Sequence, residues 1–314
     1  LYLFITLLMS NSVNYFFCVD GGASKSRAKL YNINGKILSS YYTNSANIYN
    51  DVNKSINSIE LLWNNCCKKA KLNKIKVQKN TVSSFGLSGS RSVNERKIIK
   101  KKFSYFKKII ISTDGYIALT AATGGNSGAI LNVGTGIVSH IMLKNGKSQQ
   151  LSGWGYPCGD IGGGWWIGSR LVSETLRKID GYKKDKDILY NIILKKIGIK
   201  DLEIITWLSN SDVKEFGKLA SLAFIKKRHS KIANKIILEG KYEIEKILNY
   251  ITMEKKILKI YCTGGLMKFY KPFLSKRFKK YLIYKDIDPL FGAYLISKKI
   301  CPTEKLINDE RKYI

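Results

Sequence analysis

Two glycine-rich segments of the chain each follow an apolar run and could hold an anion through backbone N–H groups. The first segment, "VDGGASK", contains Asp20, Gly21, Gly22, Ala23, Ser24 and Lys25. The second segment, "NVGTG", contains Gly134, Thr135 and Gly136. Concave turns of this kind can bind phosphate without a positive side chain. A carboxylate beside a phosphate is tolerable mainly when Mg²⁺ lies between them, so the Asp20 segment predicts a Mg²⁺–phosphate site.

The first turn taken alone is better explained as an ordinary turn, because Asp and Gly are common turn residues. The second turn favours a nucleotide site. Two other nucleotide signatures are excluded, because no G-x-x-x-x-G-K-[ST] loop is present and "GGGWWIG" at 162–168 has the wrong spacing for G-x-G-x-x-G. A serine hydrolase is poorly supported, because "GLSGS" at 86–90 lacks the last glycine of a nucleophile elbow and only His140 and His229 are available.

Asp114 lies in "STDGYIALTAATGG", where a strand gives way to a helix. One interpretation is a helix N-cap, for which Asp is among the preferred residues. The other is a reacting group, because α/β enzymes place such groups at the carboxyl ends of central strands. A carboxylate there could accept the proton of a sugar hydroxyl.

The segment "GWGYPCGDIGGGWWIG" at 153–168 is too rich in Gly and Trp for an ordinary surface loop. Asp160 could accept hydrogen bonds from two neighbouring hydroxyl groups. Trp154 could stack on a sugar face or pack in the core, since Trp is buried on average.

Strands and helices alternate along the chain, and the first pattern returns in the second half. Strands are predicted from residue 15, at 81–89, at 107–112 and at 256–265, and Asn34-Gly35 predicts a hairpin turn. Helices are predicted at 51–70, 165–180, 187–197 and 212–250 and from Pro289. The segment 128–147 repeats the order strand, glycine-rich turn, strand, Asn-Gly turn. The pattern predicts an α/β protein with a duplicated domain and a mixed sheet in each half.

Composition favours a large folded core and excludes some partners. The 314 residues are 45% hydrophobic and carry a formal charge of +31, but only eight of the 54 basic residues are Arg, and the lysines are spread along the chain. We therefore expect no nucleic-acid partner, since Arg is the residue most used for base and phosphate recognition. The six cysteines show neither a zinc pattern nor a disulfide framework. The apolar start is too short to span a bilayer, so we expect a cytoplasmic protein with no membrane partner, for which Met9 is an alternative start.

These motifs together resemble the N-acetylglucosamine and glucosamine kinase group of the BadF/BadG/BcrA/BcrD ATPase family. The resemblance rests on "VDGGASK", "GLSG", "TDGYIAL", "NVGTG", "GWGYPCGDIGGGWWIG", "CTGG" and "DPLFGAYLIS" in that order, from residue 15 to about 298. It implies the duplicated ribonuclease-H-like fold of sugar kinases, Hsp70 and actin, with a nucleotide cleft between the domains. We expect an N-terminal domain at 14–113, completed by the helix 289–300, and a C-terminal domain with a helical insertion at 114–288.

The resemblance also implies a role for individual residues. Asp20 would hold Mg²⁺ through water, while Gly21 to Lys25 and Gly134 to Gly136 would hold the phosphates of ATP. Asp114 would be the base on the 6-hydroxyl of the amino sugar. The remaining contacts implied are Gly264 and Gly265 to adenosine, and Asn47, Gly153, Trp154 and Asp160 to the sugar. A homodimer is also possible by resemblance.

The chain departs from the family pattern beside these residues. Ile161 and Gly163 replace the Glu and Ser of the usual G-D-E-G-S, and Ile137 replaces the Ser of the usual G-T-G-S. Because Ile137 and Ile161 would weaken the sugar pocket, a nucleotide-dependent switch that acts on a partner protein stays open as an alternative. The intact "GWG…GD" segment and Asn47 favour the kinase.

Overall fold

The computed structural model describes residues 12–22, 25–48, 50–143 and 146–306. These residues form two compact units. The first unit comprises the described residues up to Ser127, Met142–Gln149 and those from Ile287 onward. The second comprises Gly128–Ile141 and Gln150–Asp286. The predicted residues Ala23 and Ser24 and the alternative start Met9 lie outside the described residues.

The described residues contain strands at the positions that the alternation of strand and helix patterns predicted. Three further strands lie in the second half of the chain. The strands are β1 Tyr15–Gly21, β2 Lys25–Asn32, β3 Ile37–Asn44, β4 Thr81–Leu87, β5 Lys108–Ser112, β6 Gly128–Val133, β7 Ile137–Met142, β8 Lys147–Ser152, β9 Ile260–Thr263, β10 Leu282–Tyr284 and β11 Lys305–Leu306. The α-helices are α1 Val52–Lys69, α2 Lys74–Gln78, α3 Val93–Lys102, α4 Asp114–Thr123, α5 Gly164–Ile179, α6 Leu189–Ile197, α7 Ile204–Asn210, α8 Val213–Lys226, α9 Lys231–Asn249, α10 Met267–Tyr270, α11 Lys276–Lys279 and α12 Pro289–Ser297. A 3₁₀ turn at Asp201–Glu203 and a π-helical turn at Tyr250–Glu254 complete the helical segments.

The same strand order occurs in both sheets. The first sheet has the order β3-β2-β1-β4-β5, in which β1 is antiparallel to β2 and parallel to β4. The second has the order β10-β9-β6-β7-β8-β11, with β9 parallel to β6. Without β11, each sheet places its third, second, first, fourth and fifth strands side by side. This repeated order confirms the predicted duplicated α/β fold.

The core of the first unit lies between β1, β4 and the helices on one face of the sheet. Phe17 contacts the Trp63 ring edge-on, with ring centroids 5.0 Å apart, and Phe85 meets Phe17 at 6.1 Å. The predicted apolar face of α1 is buried, and Asp51 caps this helix by accepting a hydrogen bond from the backbone N–H of Lys54 at 2.8 Å. Aromatic contacts of this kind add to the stabilisation from apolar burial.

The segment 212–250, predicted to be helical throughout, forms two helices. α8 ends at Lys226 and α9 begins at Lys231. Ser230 caps α9, because its side chain accepts a hydrogen bond from the N–H of Ala233 at 2.9 Å. The Ser230 hydroxyl in turn donates to Asp187 at 2.9 Å. An N-cap side chain specifies a helix start that apolar periodicity alone does not reveal.

Gly292 allows α12 to approach α4 closely, and its replacement by Ala is expected to destabilise the protein. A Cβ atom at position 292 would lie 1.9 Å from the carbonyl oxygen of Ile117. The higher helix propensity of Ala is worth about 1 kcal/mol, but we expect overpacking to dominate and lower the free energy of unfolding by about 1–3 kcal/mol. Urea denaturation should show this loss for Gly292→Ala. Gly265→Ala, where the added methyl meets open space, is the matched control, and equal midpoints for the two variants would contradict the prediction.

Candidate active site

Asp20 and Asp114 lie at the same edge of the first sheet. Asp20 is near the carboxyl end of β1, and Asp114 begins α4 two residues after β5. β1, β4 and β5 are mutually parallel neighbours in the sheet. Because the carboxyl ends of parallel strands meet at one edge, the fold brings the two predicted acids together in the first unit.

Asp20 is held by a set of charged neighbours that the sequence analysis did not identify. The Arg27 Nε–H donates to Asp20 Oδ2 at 2.9 Å, and the side chain of Asp20 is 19% exposed. Asp288 accepts from Lys29 Nζ at 2.6 Å and lies 3.4 Å from Arg27 Nη2. Burial raises the pKa of the Asp20 carboxyl, and the Arg27 guanidinium opposes this rise. The arrangement fixes one carboxylate oxygen of Asp20.

Asp114 is the first residue of α4 and not its N-cap, so the N-cap interpretation is wrong. Thr113 is the N-cap, and its side-chain oxygen accepts from the backbone N–H of Tyr116 at 3.1 Å. Asp114 Oδ1 accepts from the N–H of Gly115 at 2.8 Å. Burial raises the pKa of the Asp114 carboxyl to about 6, and the carboxylates of Asp20 and Glu304 add to the rise. A carboxyl with this pKa is suited to proton transfer near neutral pH.

Gly21, in the first glycine-rich turn, packs closely against the end of the neighbouring strand β4. A Cβ atom at Gly21 would lie 2.6 Å from Leu87 Cδ2, so a larger residue would displace the strand end. Gly22 donates its N–H to the carbonyl of Lys25 at 3.1 Å, and its own carbonyl accepts from Ala46 N–H at 3.2 Å. Asn47 directly follows Ala46. The structure therefore brings Gly21, Gly22 and the backbone of Asn47 to the edge that carries Asp20, with Lys25 beginning β2.

The second glycine-rich turn, between β6 and β7, is fixed by the start of α5. The carbonyl groups of Gly134 and Thr135 accept hydrogen bonds from the N–H groups of Gly164 and Trp165, each at 2.8 Å. A Cβ atom at Gly163 would lie 2.9 Å from the Cα atom of Gly136, so the glycine is required for this approach. The departure from the family pattern at Gly163 therefore has a packing role. Beside Gly134 the space is open, because a Cβ built there meets no atom within 4 Å.

Gly264 and Gly265 lie beside the second glycine-rich turn. They follow β9, and the N–H of Leu266 donates to the carbonyl of Val133 at 2.9 Å. Gly264 has φ +90° and a Cβ there would lie 2.3 Å from the Val133 oxygen, whereas a Cβ at Gly265 meets nothing within 4 Å. The second unit thus brings the predicted phosphate and adenosine residues together next to open space.

Asp160 is held against the second glycine-rich turn by backbone groups. Burial raises the pKa of its carboxyl, and N–H groups of Gly155, Ile137 and Gly153 oppose the rise through hydrogen bonds. Its Oδ2 occupies the space that a Cβ at Gly136 would need. Its Oδ1 is buried and has no hydrogen-bond partner among the described residues. Such an oxygen requires a donor from elsewhere, and a sugar hydroxyl would provide one.

Of the remaining predicted sugar residues of the second unit, Gly153 donates its backbone N–H to the Asp160 carboxyl. Trp154 is 78% exposed, which excludes the alternative that it packs in the core. A pocket of about 190 Å³ beside Asp160 is lined by Ser152, Cys158, Gly159, Ile161, Glu243, Lys246 and Ile247. Of the two isoleucine departures, Ile161 is 41% exposed and Ile137 is buried. Of these two departures, Ile161 is therefore the one that presents an apolar side chain at the pocket.

Three supporting residues were missed by the sequence analysis: Arg27, Asp288 and Glu304. Arg27 is directly opposite Asp20 in the antiparallel pairing of β1 and β2, so the hairpin register could have identified it. Asp288 and Glu304 are brought to the site from far along the chain. Asp288 begins the quoted segment "DPLFGAYLIS", but its place beside Arg27 depends on packing, and no local pattern indicates Glu304. None of the described helices is both long enough and apolar enough to cross a membrane.

Comparison with known proteins gives concordant matches over nearly the whole chain. The model of the BadF/BadG/BcrA/BcrD ATPase family matches residues 18–297. The N-acetylmuramic acid/N-acetylglucosamine kinase of Clostridium acetobutylicum is 25% identical over 313 residues, which cover 92% of this chain and 100% of that protein. A glucosamine kinase of Vibrio cholerae is 24% identical and covers 95% of this chain and 99% of its own length. In fold, the chain is similar to a Chromobacterium violaceum protein provisionally named as an N-acetylglucosamine kinase, with a TM-score of 0.76, 24% identity and coverage of 91% and 99%.

Proposed function

Since this chain belongs to the BadF/BadG/BcrA/BcrD ATPase family, we propose that it is an ATP-dependent kinase that phosphorylates an amino sugar at the 6-hydroxyl. The observation that carries the proposal is the carboxylate of Asp114, which follows β5, the edge strand of the first sheet and not a central one as predicted, and has a pKa raised to about 6. A base with this pKa is largely ionised at neutral pH and still accepts a proton. The named activities of the relatives described above support the same class of reaction.

In the proposed reaction Asp114 takes the proton of the sugar 6-hydroxyl. The sugar oxygen forms a bond to the γ-phosphorus of ATP as the bond from that phosphorus to the β–γ bridging oxygen breaks, and ADP leaves with the electron pair. Positioning and electrostatic stabilisation provide most of the acceleration in such transfers.

The residues near Asp20 fit a Mg²⁺ ion that arrives with the nucleotide. Among the described residues, no group of three or more His, Cys, Asp or Glu side chains could hold a metal ion. Mg²⁺ in kinases is commonly held by substrate phosphates and one or two carboxylates, with water completing the shell. Asp20 provides a carboxylate of this kind at the strand end. When bound, Mg²⁺ would neutralise charge on the phosphates.

The open space beside Gly134 and Gly265 fits the nucleotide in the second unit. Because neither position has a side chain, a phosphate or a ribose can approach the backbone closely. We propose that Gly134, Thr135 and Gly136 hold phosphate and that Gly264 and Gly265 lie against adenosine. For the sugar, Asp160 Oδ1 would accept hydrogen bonds from the hydroxyl groups. The remaining sugar contacts would come from Asn47, Gly153 and Trp154.

The proposal is tested by the sugar dependence of ATP turnover. ADP formation should be measured with N-acetylglucosamine, glucosamine, N-acetylmuramic acid and glucose, each with and without Mg²⁺. We expect Mg²⁺-dependent turnover that requires one of the amino sugars. ATP hydrolysis at the same rate without any sugar would contradict the kinase and favour the nucleotide-dependent switch.

Replacement of Asp160 by Asn is expected to weaken sugar binding selectively. Asn tolerates the left-handed backbone of this position, where φ is +62°, so the fold should be retained. Loss of the charge should raise the KM for the sugar about ten- to a hundredfold, because a hydrogen bond to a charged group contributes about 1.5–3 kcal/mol. The KM for ATP should stay unchanged in initial-rate kinetics. The exposed Asp180, at the end of α5, gives the control Asp180→Asn, and an unchanged sugar KM in Asp160→Asn would contradict this role.

A further inference from the structure

The segment 298–306, which follows α12, lies beside the start of α4, the helix that carries Asp114. It includes Cys301 and Glu304 and ends in β11, which pairs in parallel with β8 through Lys305 and Lys147. The match to the family model ends at residue 297, before this segment begins. The contacts of the segment therefore lie outside the residues that the family model matches.

Two glycines, Gly146 and Gly125, allow this segment to pack closely because they have no side chains. A Cβ atom at Gly146 would lie 2.5 Å from the carbonyl oxygen of Thr303, and one at Gly125 would lie 2.6 Å from the sulfur of Cys301. The hydroxyl of Tyr116, on α4, donates to the carbonyl of Pro302 at 3.0 Å. These contacts just before Glu304, together with the pairing of Lys305 in β11, fix the backbone that carries Glu304.

Glu304 binds the residue that immediately precedes Asp114. Its Oε2 accepts from the backbone N–H of Thr113 at 2.7 Å, and its Oε1 accepts from the Thr113 hydroxyl at 2.8 Å. Oε1 also accepts from the hydroxyl of Ser148 at 2.9 Å. Three donors converge on one carboxylate, an arrangement that suits its ionised form.

The same carboxylate acts on Asp114 through its charge. Among the described residues, the charged groups that raise the pKa of Asp114 are Asp20 on β1 and Glu304 on the C-terminal segment, in addition to burial. A nearby negative charge makes a carboxylate hold its proton more strongly. Burial raises the pKa of the Glu304 carboxyl, and the hydrogen bonds from Thr113 and Ser148 and the charge of Arg96, on α3, oppose that rise. Glu304 thus acts on Asp114, the proposed base, in two ways: through its hydrogen bonds to Thr113 and through its charge.

We propose that Glu304 is a positioning residue for Asp114: it fixes the first turn of α4 so that the base is aimed at the sugar hydroxyl and keeps its basicity. This inference rests on the proposed kinase activity. Misplacement of a reacting group by about 1 Å can cost about a hundredfold in rate, so a carboxylate that holds the neighbouring backbone is expected to affect kcat. Glu304 itself would contact neither the amino sugar nor ATP, so their KM values should not change.

The test compares Glu304→Gln with Glu60→Gln. A flipped Gln amide can still accept from the Thr113 N–H and donate to the two hydroxyls, so Glu304→Gln removes the charge and keeps the shape. Glu60 is a partly exposed carboxylate of the same unit that pairs with Lys102, and its replacement changes the net charge equally. We expect Glu304→Gln to lower kcat about tenfold with unchanged KM values and to move the acid limb of the pH–rate profile to lower pH.

Glu304→Ala should lower kcat further, and melting temperatures would separate unfolding from loss of positioning. If Glu304→Gln has the kcat and acid limb of Glu60→Gln, or loses stability without loss of kcat, the inference is overturned while the kinase stands. A wild-type protein without sugar-dependent turnover would overturn the proposed function, and this inference with it.

Discussion

Replacement of Asp114 by Asn is expected to lower sugar-dependent ATP turnover by about 10²–10⁴-fold, the range typical of general base catalysis. Asn has nearly the same shape and can still accept a hydrogen bond from the N–H of Gly115, but it cannot take the hydroxyl proton. Because Asp114 lies in the first turn of α4 and is not its N-cap, the helix should still form. The KM values for ATP and sugar should change little.

The pH dependence gives this prediction a second readout. The base must be ionised to act, and the pKa of Asp114 is raised to about 6. Wild-type kcat should therefore be retained above this pH and lost as the pH falls through about 6, whereas residual Asp114→Asn turnover should lack that acid limb. Asp212→Asn is the control, because Asp212 is an exposed N-cap of α8 and Asn caps helices about as well. An Asp114→Asn enzyme with wild-type kcat would contradict the role of Asp114.

Replacement of Asp20 by Asn is expected to lower Mg²⁺-dependent turnover about 10–100-fold, as is typical for residues that act on a metal through its outer shell. The loss should appear as a higher Mg²⁺ requirement, because the amide lacks the charge that attracts the hydrated ion. The fold should remain intact, since Arg27 keeps its contact with Asp288 and a partly exposed ion pair contributes at most about 1 kcal/mol.

The measurement for Asp20→Asn is turnover against Mg²⁺ concentration at saturating ATP and sugar. Asp212→Asn again controls for the change from acid to amide. A variant that responds to Mg²⁺ as the wild type does would contradict the assignment of Asp20. Loss of turnover that extra Mg²⁺ partly restores would support it.

The sequence predicts most of the fold because periodicity and turn residues are local signals. The apolar face of α1 and the repeated hairpins are of this kind, and each is found in the structure. Asp20 and Asp114 could be predicted to share an edge, since each follows a strand in an alternating α/β pattern. The N-cap alternative for Asp114 could not be decided from sequence, because Thr113 is an equally suitable cap one residue earlier.

The supporting interactions could not be predicted, because they join residues that lie far apart in the chain. Asp288 and Glu304 reach the site only through the packing of α12 and the pairing of β11. The glycines at 162–164 could be noticed as unusual, but their purpose depends on how closely α5 approaches the turn at Gly134. That approach is set by tertiary packing and leaves no periodic signal.

Transfer of phosphate from ATP to an amino sugar can be followed by measuring ADP and sugar phosphate in the same reaction. The purified full chain should be incubated with Mg²⁺–ATP and N-acetylglucosamine or glucosamine. We expect one of these sugars to yield sugar 6-phosphate and ADP in equal amounts, and little ADP to form without sugar. ADP formation that is independent of sugar, with no phosphorylated sugar, would contradict this expectation.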